Sequence, residues 1–228
     1  MNHPQSGDYI DIHTHYGKPA AGVFMIDCLM AHEERLPADI HGVAYTYGIH
    51  PWFLNENNHE QLISSVEKIA SNTDVIAIGE AGFDKLKGPS ADLQRKAFEE
   101  QVIIAESHMK PVIIHCVKAW DELLAINKKL QPEMPWLVHG FRGTPELAKQ
   151  LLSRGMYLSF WVNFVIRPES SRLLNGLPKE KIFFETDGAD VDIREIYKKV
   201  ANDINISVEE LKNIIFTNFK EFFHLKTP

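Results

Sequence analysis

Cysteine is scarce in this chain of 228 residues, and long apolar runs are missing. Cys28 and Cys116 are too few for a disulfide framework or for a zinc site made of thiolates. Without a run of about 18 apolar residues, the sequence predicts no membrane-spanning helix. The opening stretch MNHPQSGD lacks the basic flank and the apolar core of a signal peptide. We therefore expect a cytoplasmic protein that does not bind membranes.

The chain also has no excess of basic residues over acidic ones. The 24 lysines and arginines are outnumbered by 31 aspartates and glutamates, which gives a formal net charge of −7. This balance argues against a large basic surface for duplex nucleic acid, although a small phosphate-binding cleft is compatible with it. The 11 histidines, by contrast, are numerous enough for a metal site built from imidazole and carboxylate ligands.

Eight short apolar runs recur along the chain, and most are followed by an amphipathic helical pattern. The runs predict strands over residues 9–13, 22–29, 42–48, 75–79, 111–115, 135–139, 156–161 and 182–186. Apolar residues spaced three and four apart predict helices over residues 60–70, 93–108, 119–130, 144–155 and 194–204. Strands that alternate with helices pair in parallel, and eight such units predict an α/β fold of the TIM-type (β/α)8 barrel class.

Length and composition predict a single barrel domain over residues 1–228. A hydrophobic content of 44% can bury one sizeable core, and the sequence contains no linker, repeat or low-complexity tract. Residues 18–40 leave little room for the first two crossover helices, since a parallel crossover ordinarily needs about a dozen residues. We expect these first helices to be shortened or missing.

Two histidines separated by one residue end the first predicted strand. Side chains two apart in a strand point the same way, so His13 and His15 would project together. Taken alone, the pair is as compatible with a solvated loop as with half of a metal site. Other strand ends favour the metal site, because four further residues able to bind metal end or follow predicted strands: Glu80, His115, His139 and Asp187.

The active site of a barrel of this class forms at the carboxyl ends of its strands, so these residues are expected to share one site. They outnumber the three or four ligands of one zinc ion and suit two divalent ions that share a bridging group. Glu80 is the natural bridge, because a carboxylate offers two oxygens. Two ions would activate water and stabilise both the attacking and the leaving oxygen of a phosphoester, so the predicted reaction is hydrolysis.

Seven stretches carry a resemblance: DIHTH, YGIHPW, AIGEAGFD, LQRKAFEEQVIIA, PVIIHC, VHGFRGT and FFETD. In their order and spacing they resemble the TatD family of metal-dependent hydrolases, the TatD-related deoxyribonucleases, within the amidohydrolase-like barrel superfamily. The resemblance covers nearly the whole chain. It implies one ion held by His13, His15, Glu80 and Asp187, and a second held by Glu80, His115 and His139.

The resemblance also implies the reaction and its substrate. Family members cleave phosphodiesters, typically as DNA-trimming nucleases, with Zn, Mn or Mg as the divalent metal. Asp187 would accept the proton of the attacking water, and Glu80 is the second carboxylate expected to be catalytic. Nucleic-acid ends or a small phosphodiester would be the substrate, and no obligate protein partner is indicated.

The substrate contacts are predicted from the GIHP signature and from the residues that follow strand five. The resemblance implies that His50 of the GIHP signature contacts phosphate, and the alternative is a turn histidine packed beside Pro51 and Trp52. After the histidine of strand five, the family usually has a small residue, an arginine and an acidic residue. Here Val117 and Lys118 occupy the last two positions. A positive charge is therefore kept at Lys118, one position further along.

The loop after the last metal motif also departs from the family. It reads DGADVDIREIY, which is short and acidic, where the family has a longer loop rich in arginine. Asp190 and Asp192 would raise the negative potential near a site that must receive phosphate. Three arginines are candidate replacement contacts, although a solvated surface arginine is the alternative for each: Arg142, Arg167 and Arg194.

Other functions stay open at this point. Barrels of this superfamily share the metal site and vary the loops, so a hydrolase of a lactone, an amide or an ester is the main alternative. A barrel that binds metal without turnover is a further alternative, although all six ligands are present. Polymerase and histidinol phosphatase barrels also begin with an HTH-like motif, but they lack a stretch like AIGEAGFD.

Overall fold

The computed structural model describes residues 3–33 and 35–225. Eight strands form from the apolar runs: β1 Tyr9–Thr14, β2 Val23–Met30, β3 Val43–Gly48, β4 Val75–Asp84, β5 Val112–Val117, β6 Trp136–Val138, β7 Tyr157–Trp161 and β8 Ile182–Glu185. Seven strands match their predicted runs to within two residues at either end. The exception is β4, which continues to Asp84 and so contains Glu80 in its middle.

Eight α-helices lie within the described residues: α1 His59–Ala70, α2 Ala91–Ser107, α3 Trp120–Leu130, α4 Pro145–Ser153, α5 Val162–Val165, α6 Pro168–Asn175, α7 Ile193–Asp203 and α8 Val208–Phe222. Short 3-10 turns occur at Pro51–Phe53 and Lys179–Lys181. The five predicted helices are α1 to α4 and α7. The helices α5, α6 and α8 were not predicted.

All eight strands belong to one sheet, whose strand order follows the chain from β1 to β8. The described strand pairs are parallel. Strand β1 lies beside β8, where the backbone N–H of Asp187 donates to the carbonyl of His13 at 3.1 Å. This order is that of a (β/α)8 barrel, so the predicted fold class is confirmed. No helix of the described residues precedes β3, which confirms that the first crossover helices are missing.

Two compact units can be distinguished, the first of which comprises residues 28–39 and 45–138. It contains β4 to β6 and α1 to α3. Three aromatic rings form one part of the core of this unit: the ring of Phe98 from α2 lies 4.9 Å from Phe83 and 5.3 Å from Trp136, and all three side chains are buried. This packing holds α2 against β4 and fixes the strand that carries Glu80.

The second unit comprises the described residues up to Asp27, residues 40–44 and the residues from His139 onward. It contains β1, β7 and β8 with α4 to α8. The buried hydroxyl of Tyr197 in α7 accepts from the N–H of Ile10 and donates to its carbonyl, at 3.2 and 3.0 Å. This pair of bonds fastens α7 to the start of β1, the strand that leads to the two histidines. That the chain forms a single domain stays a prediction.

Candidate metal clusters

His13 and His15 project together at the end of β1, as strand geometry predicts. Their rings lie 4.9 Å apart and perpendicular to each other. Atom Oδ1 of Asp187 lies 3.7 Å from Nε2 of both histidines. Ligand atoms that share one tetrahedral ion are about 3.4 Å apart when each ligand bond is about 2.1 Å. The spacing of these three side chains therefore suits the ligands of one metal ion.

Backbone contacts at the end of β8 determine where Asp187 lies. The preceding residue, Thr186, donates from its N–H and its hydroxyl to the carboxylate of Asp11, at 3.0 and 2.6 Å. Asp187 has a left-handed backbone with a φ of 51°, a conformation that aspartate adopts more readily than most residues. Burial raises the pKa of Asp11 to about 7, against the effect of the bonds from Thr186. These contacts direct Asp187 towards the histidines of β1.

His139 follows β6, and its ring lies 4.3 Å from the ring of His13. Its Nδ1 is 3.4 Å from Oε1 of the buried Glu185, which also accepts from the N–H of Gly140 at 2.7 Å and from the hydroxyl of Ser159. Burial acts to raise the pKa of Glu185, but His139, His13 and the hydroxyl of Ser159 together outweigh it, and the pKa is lowered. A carboxylate at one ring nitrogen orients an imidazole for a metal at the other.

We call His13, His15, His139 and Asp187 the aspartate cluster. One ligand atom each from His13, His139 and Asp187 lies within 4.8 Å of the others. Imidazole nitrogens and a carboxylate oxygen are donors that zinc and manganese accept, so the donor set fits a divalent metal. Sequence reasoning missed Glu185, although the acidic residue two positions before Asp187 in FFETD was an available signal.

A second cluster of donors lies in the first unit, around Glu80 of β4. Atom Oε1 of Glu80 is 2.8 Å from Nδ1 of His115 and 3.1 Å from Nε2 of His50. All three side chains are buried, and one ligand atom from each lies within 4.8 Å of the others. We call these three residues the glutamate cluster. Its donor set also fits a divalent metal.

Two glycines in β4 allow Glu80 to lie next to β5. Gly79 and Gly82 have φ angles of +143° and +146°, which other residues rarely adopt. A Cβ at Gly82 would overlap the carbonyl oxygen of His115, and a Cβ at Gly79 would lie 2.5 Å from the carbonyl oxygen of Ile113. The glycines of AIGEAGFD therefore permit the close strand approach that brings Glu80 to His115.

The other ring nitrogen of His115 faces a carboxylate that sequence reasoning also missed. Asp84 ends β4, and its Oδ2 lies 3.3 Å from Nε2 of His115 and accepts a 2.6 Å hydrogen bond from the indole of Trp52. Burial acts to raise the pKa of Asp84, but bonds from Trp52, Leu86 and His115 lower it. Asp84 thus orients His115 so that Nδ1 faces Glu80. The sequence offered one signal for this contact, since Asp84 is the last residue of the quoted motif AIGEAGFD.

The predicted substrate contacts lie in different environments. His50 is buried, and its Nδ1 accepts from the N–H of Trp52 at 3.1 Å, so that Nε2 is the atom that faces Glu80. Lys118 is exposed after β5, with a left-handed φ of 53°. Arg142 is exposed in the loop after β6. Neither Lys118 nor Arg142 belongs to either cluster, and their contacts with substrate stay predictions.

The short loop after β8 borders a cavity of about 370 Å³ in the second unit. His15, Lys18 and Arg194 are among its lining residues. The guanidinium of Arg194 bonds the carboxylate of Asp192 at 2.9 Å and the carbonyl of Ala21. These bonds tie Arg194 to the loop after β8 and to the segment before β2, and they give it a structural role besides any contact with phosphate.

A family model described as TatD related DNase matches residues 30–224. The 3'-5' ssDNA/RNA exonuclease TatD of Cronobacter turicensis is 33% identical over 165 residues, which are 70% of this chain and 62% of the relative. The uncharacterized metal-dependent hydrolase YcfH of Escherichia coli is 27% identical over 211 residues, 85% of this chain and 78% of the relative. The chain thus spans less than two thirds of the length of the exonuclease.

A solved structure with a similar fold supports the barrel architecture. YjjV, a TatD homolog from Escherichia coli, superposes with a TM-score of 0.77 at 20% identity, over 97% of this chain and 100% of that chain. At this identity the likeness supports the barrel fold alone. In the part of the chain that the structure describes, no helix has both the length and the apolar character needed to span a membrane.

Proposed function

Because the chain belongs to the TatD-related DNase family, we propose that it is a metal-dependent hydrolase that cleaves phosphodiester bonds at nucleic-acid ends. The observation that carries this proposal is the pair of clusters, one buried and one partly buried, in which a carboxylate faces imidazoles. Buried carboxylates and imidazoles in such proximity serve as metal ligands or as acid–base groups, and both roles belong to hydrolysis. The match to the TatD family model over residues 30–224 supports the same reaction.

The substrate class follows from the relatives. The Cronobacter turicensis protein is named as an exonuclease of single-stranded DNA and RNA. We therefore propose single-stranded nucleic-acid ends as the substrate of this chain. A net charge of −7 agrees with a small phosphate-binding cleft in place of a broad basic surface. The cytoplasmic location that the sequence predicts stays a prediction.

We propose that two divalent ions, of Zn, Mn or Mg, are bound. When bound, such ions supply Lewis acidity and lower the pKa of the water they contact. The resemblance divides the ligands into His13, His15, Glu80 and Asp187 for one ion, and Glu80, His115 and His139 for the other. That division, with Glu80 as the bridge, stays a prediction. Both clusters support metal binding in general, because each brings imidazole and carboxylate ligand atoms close together.

The protein's own residues then hold the reactants and move one proton. Glu185 and Asp84 keep His139 and His115 in the orientations that direct their other nitrogens at a ligand position. Oδ1 of Asp187 faces His13 and His15, so we assign its Oδ2 to accept the proton of the attacking water. The side chain of Asp187 is 25% exposed, which lets a water molecule approach it.

An activity screen with and without metal tests the proposal. Protein stripped by a chelator is expected to lose hydrolysis of a single-stranded oligonucleotide and of bis(p-nitrophenyl) phosphate, and to regain both with Zn²⁺, Mn²⁺ or Mg²⁺. A parallel screen over lactones, amides and carboxylic esters addresses the main alternative. Hydrolysis of an ester or a lactone without any hydrolysis of phosphodiesters would contradict the proposed function.

Alanine at Lys118 or at His50 tests the predicted phosphate contacts. Lys118→Ala is expected to raise KM for the oligonucleotide about tenfold, since a lost charge-assisted hydrogen bond costs about 1.5 kcal/mol or more, while metal content is unchanged. His50→Ala is expected to lose activity with its metal retained. Elemental analysis and steady-state kinetics on one preparation measure both quantities.

Lys128→Ala is the matched control, because Lys128 is an exposed lysine of α3 in the same unit. It is expected to change neither KM nor metal content. Loss of metal from His50→Ala would make His50 a ligand of the glutamate cluster, and an unchanged KM in Lys118→Ala would remove Lys118 from the substrate site.

A further inference from the structure

A line of rings leads from the glutamate cluster to the protein surface. The buried ring of His50 lies 5.8 Å from the ring of Phe53, and Phe53 is stacked on His32 with 3.8 Å between centroids and 18° between planes. His32 is exposed. The indole of Trp52 lies beside this line, 4.8 Å from His50 and 5.6 Å from His115. We call His32, His50, Trp52 and Phe53 the ring strip.

The outer part of the ring strip is open to solvent. Trp52 is 40% exposed and Phe53 is 39% exposed, although large aromatic side chains gain most when they are fully buried. Both belong to the 3-10 turn Pro51–Phe53, which begins immediately after His50. Two neighbouring exposed aromatic residues beside a buried cluster of polar donors are a feature of ligand sites more than of a packed core.

The strip is held in place before any ligand binds. The indole N–H of Trp52 donates to Asp84 at 2.6 Å, and the ammonium of Lys87 lies 3.6 Å from the centre of the indole ring. The 3-10 turn is further fixed by the bond from the N–H of Trp52 to Nδ1 of His50. Rings that are already fixed lose little conformational entropy on binding, so flat ligands stack on them at low cost.

We propose that the ring strip binds the bases of a single-stranded nucleic acid next to the phosphodiester that is cleaved. The inference rests on the proposed function and adds a subsite to it. Every nucleobase has a flat face, and stacking on aromatic side chains binds single strands without a sequence preference. A cation over one face of the Trp52 indole, here Lys87, attracts the phosphate backbone next to the rings.

The chemistry of His32 agrees with this role. Partial burial lowers the pKa of His32 below its ordinary value, against the effect of the nearby Glu33 carboxylate. The stacked pair of Phe53 and His32 therefore offers two neutral rings at neutral pH. A neutral stacked pair presents flat aromatic faces comparable in size to a single nucleobase. Consecutive bases of a strand can stack on such faces.

Binding to metal-free protein tests the subsite apart from catalysis. The probes are a fluorescein-labelled oligothymidylate and an abasic oligomer with the same backbone and length, and fluorescence anisotropy is measured in excess chelator. Phe53→Ala is expected to weaken binding of the oligothymidylate about tenfold and to change binding of the abasic oligomer by less than about twofold. His32→Ala, at an exposed loop position, is expected to weaken it in the same direction.

Two further variants separate stacking from general effects. Phe53→Trp keeps an aromatic face and is expected to bind the oligothymidylate within about threefold of wild type, whereas Phe53→Leu keeps only apolar volume and is expected to behave like Phe53→Ala. Ile103→Ala is the control, since Ile103 is a 63% exposed apolar side chain of α2 in the same unit. It should leave the affinity for both probes unchanged.

The two proposals fail in different ways. Equal affinity of wild type for both probes, or equal loss for both probes in Phe53→Ala, would overturn the ring strip even if the loaded enzyme cleaves phosphodiesters. Selective binding of the base-containing probe by a protein that hydrolyses no phosphodiester would instead overturn the proposed function and leave the strip as a base-binding surface.

Discussion

Glu80→Ala is expected to lose bound metal and to lower phosphodiester turnover by more than about 100-fold, because even residues that only support metal ligands cost 10- to 100-fold in affinity or activity. Glu80 is 2% exposed, and Oε1 lies 2.8 Å from His115 and 3.1 Å from His50. It is the only anion of the glutamate cluster. Its removal leaves two imidazoles without the charge that makes a divalent ion favourable there.

Elemental analysis measures the metal content. The bridging role also predicts how many ions each variant loses. If Glu80 ligates both ions, Glu80→Ala loses both, while His115→Ala weakens mainly one. Glu67→Ala is the control, because Glu67 is a 58% exposed carboxylate on α1 and belongs to neither cluster. Equal metal content in wild type and Glu80→Ala would rule out Glu80 as a ligand, and loss of one equivalent would rule out the bridge.

Asp187→Asn is expected to lower turnover by about 10²- to 10⁴-fold while much of the metal is retained, which is the usual scale for loss of a general base. Asparagine keeps the shape of the side chain and one oxygen directed at His13 and His15, but it removes the charge and the proton acceptor. The left-handed backbone at this position, with a φ of 51°, is one that asparagine also adopts, so the fold should be unaffected.

Substrate affinity in Asp187→Asn should change far less than the rate, since the lost interaction belongs to the transition state. Metal content, oligonucleotide binding and turnover are measured on one preparation. Asp39→Asn serves as the control, because Asp39 is an exposed aspartate of a loop and belongs to neither cluster. Turnover within a few-fold of wild type, with the metal bound, would show that another group accepts the proton.

The pattern of the chain was sufficient for the main elements and for the kinds of ligand. Short apolar runs placed seven of the eight strands to within two residues, because a parallel strand buried on both faces needs such a run wherever it lies. The pairing of His13 with His15 followed from strand geometry alone. The positions of His139 and Asp187 just after β6 and β8 agree with the rule that barrel sites form at the carboxyl ends of strands.

Local pattern did not predict which buried groups hold the ligands in place. Glu185 and Asp84 lie in quoted motifs, yet nothing in their immediate neighbours indicates that one contacts His139, 46 residues away, and the other His115, 31 residues away. The same is true of His50, which was expected at the substrate and lies 3.1 Å from Glu80. Contacts of this kind depend on strand register and side-chain rotamer, and these arise only when the strands pack.

The sequence by itself therefore determined the fold class, the missing first helices and the donor types, since these depend on short-range periodicity and on residue chemistry. Only the tertiary structure decided that β4 runs on through Glu80 to Asp84, where two glycines let it approach β5. It also decided that Trp52 and Phe53 stay partly exposed beside the glutamate cluster. The physical reason is that burial and orientation are properties of the packed chain, in which each side chain competes with all others for the same space.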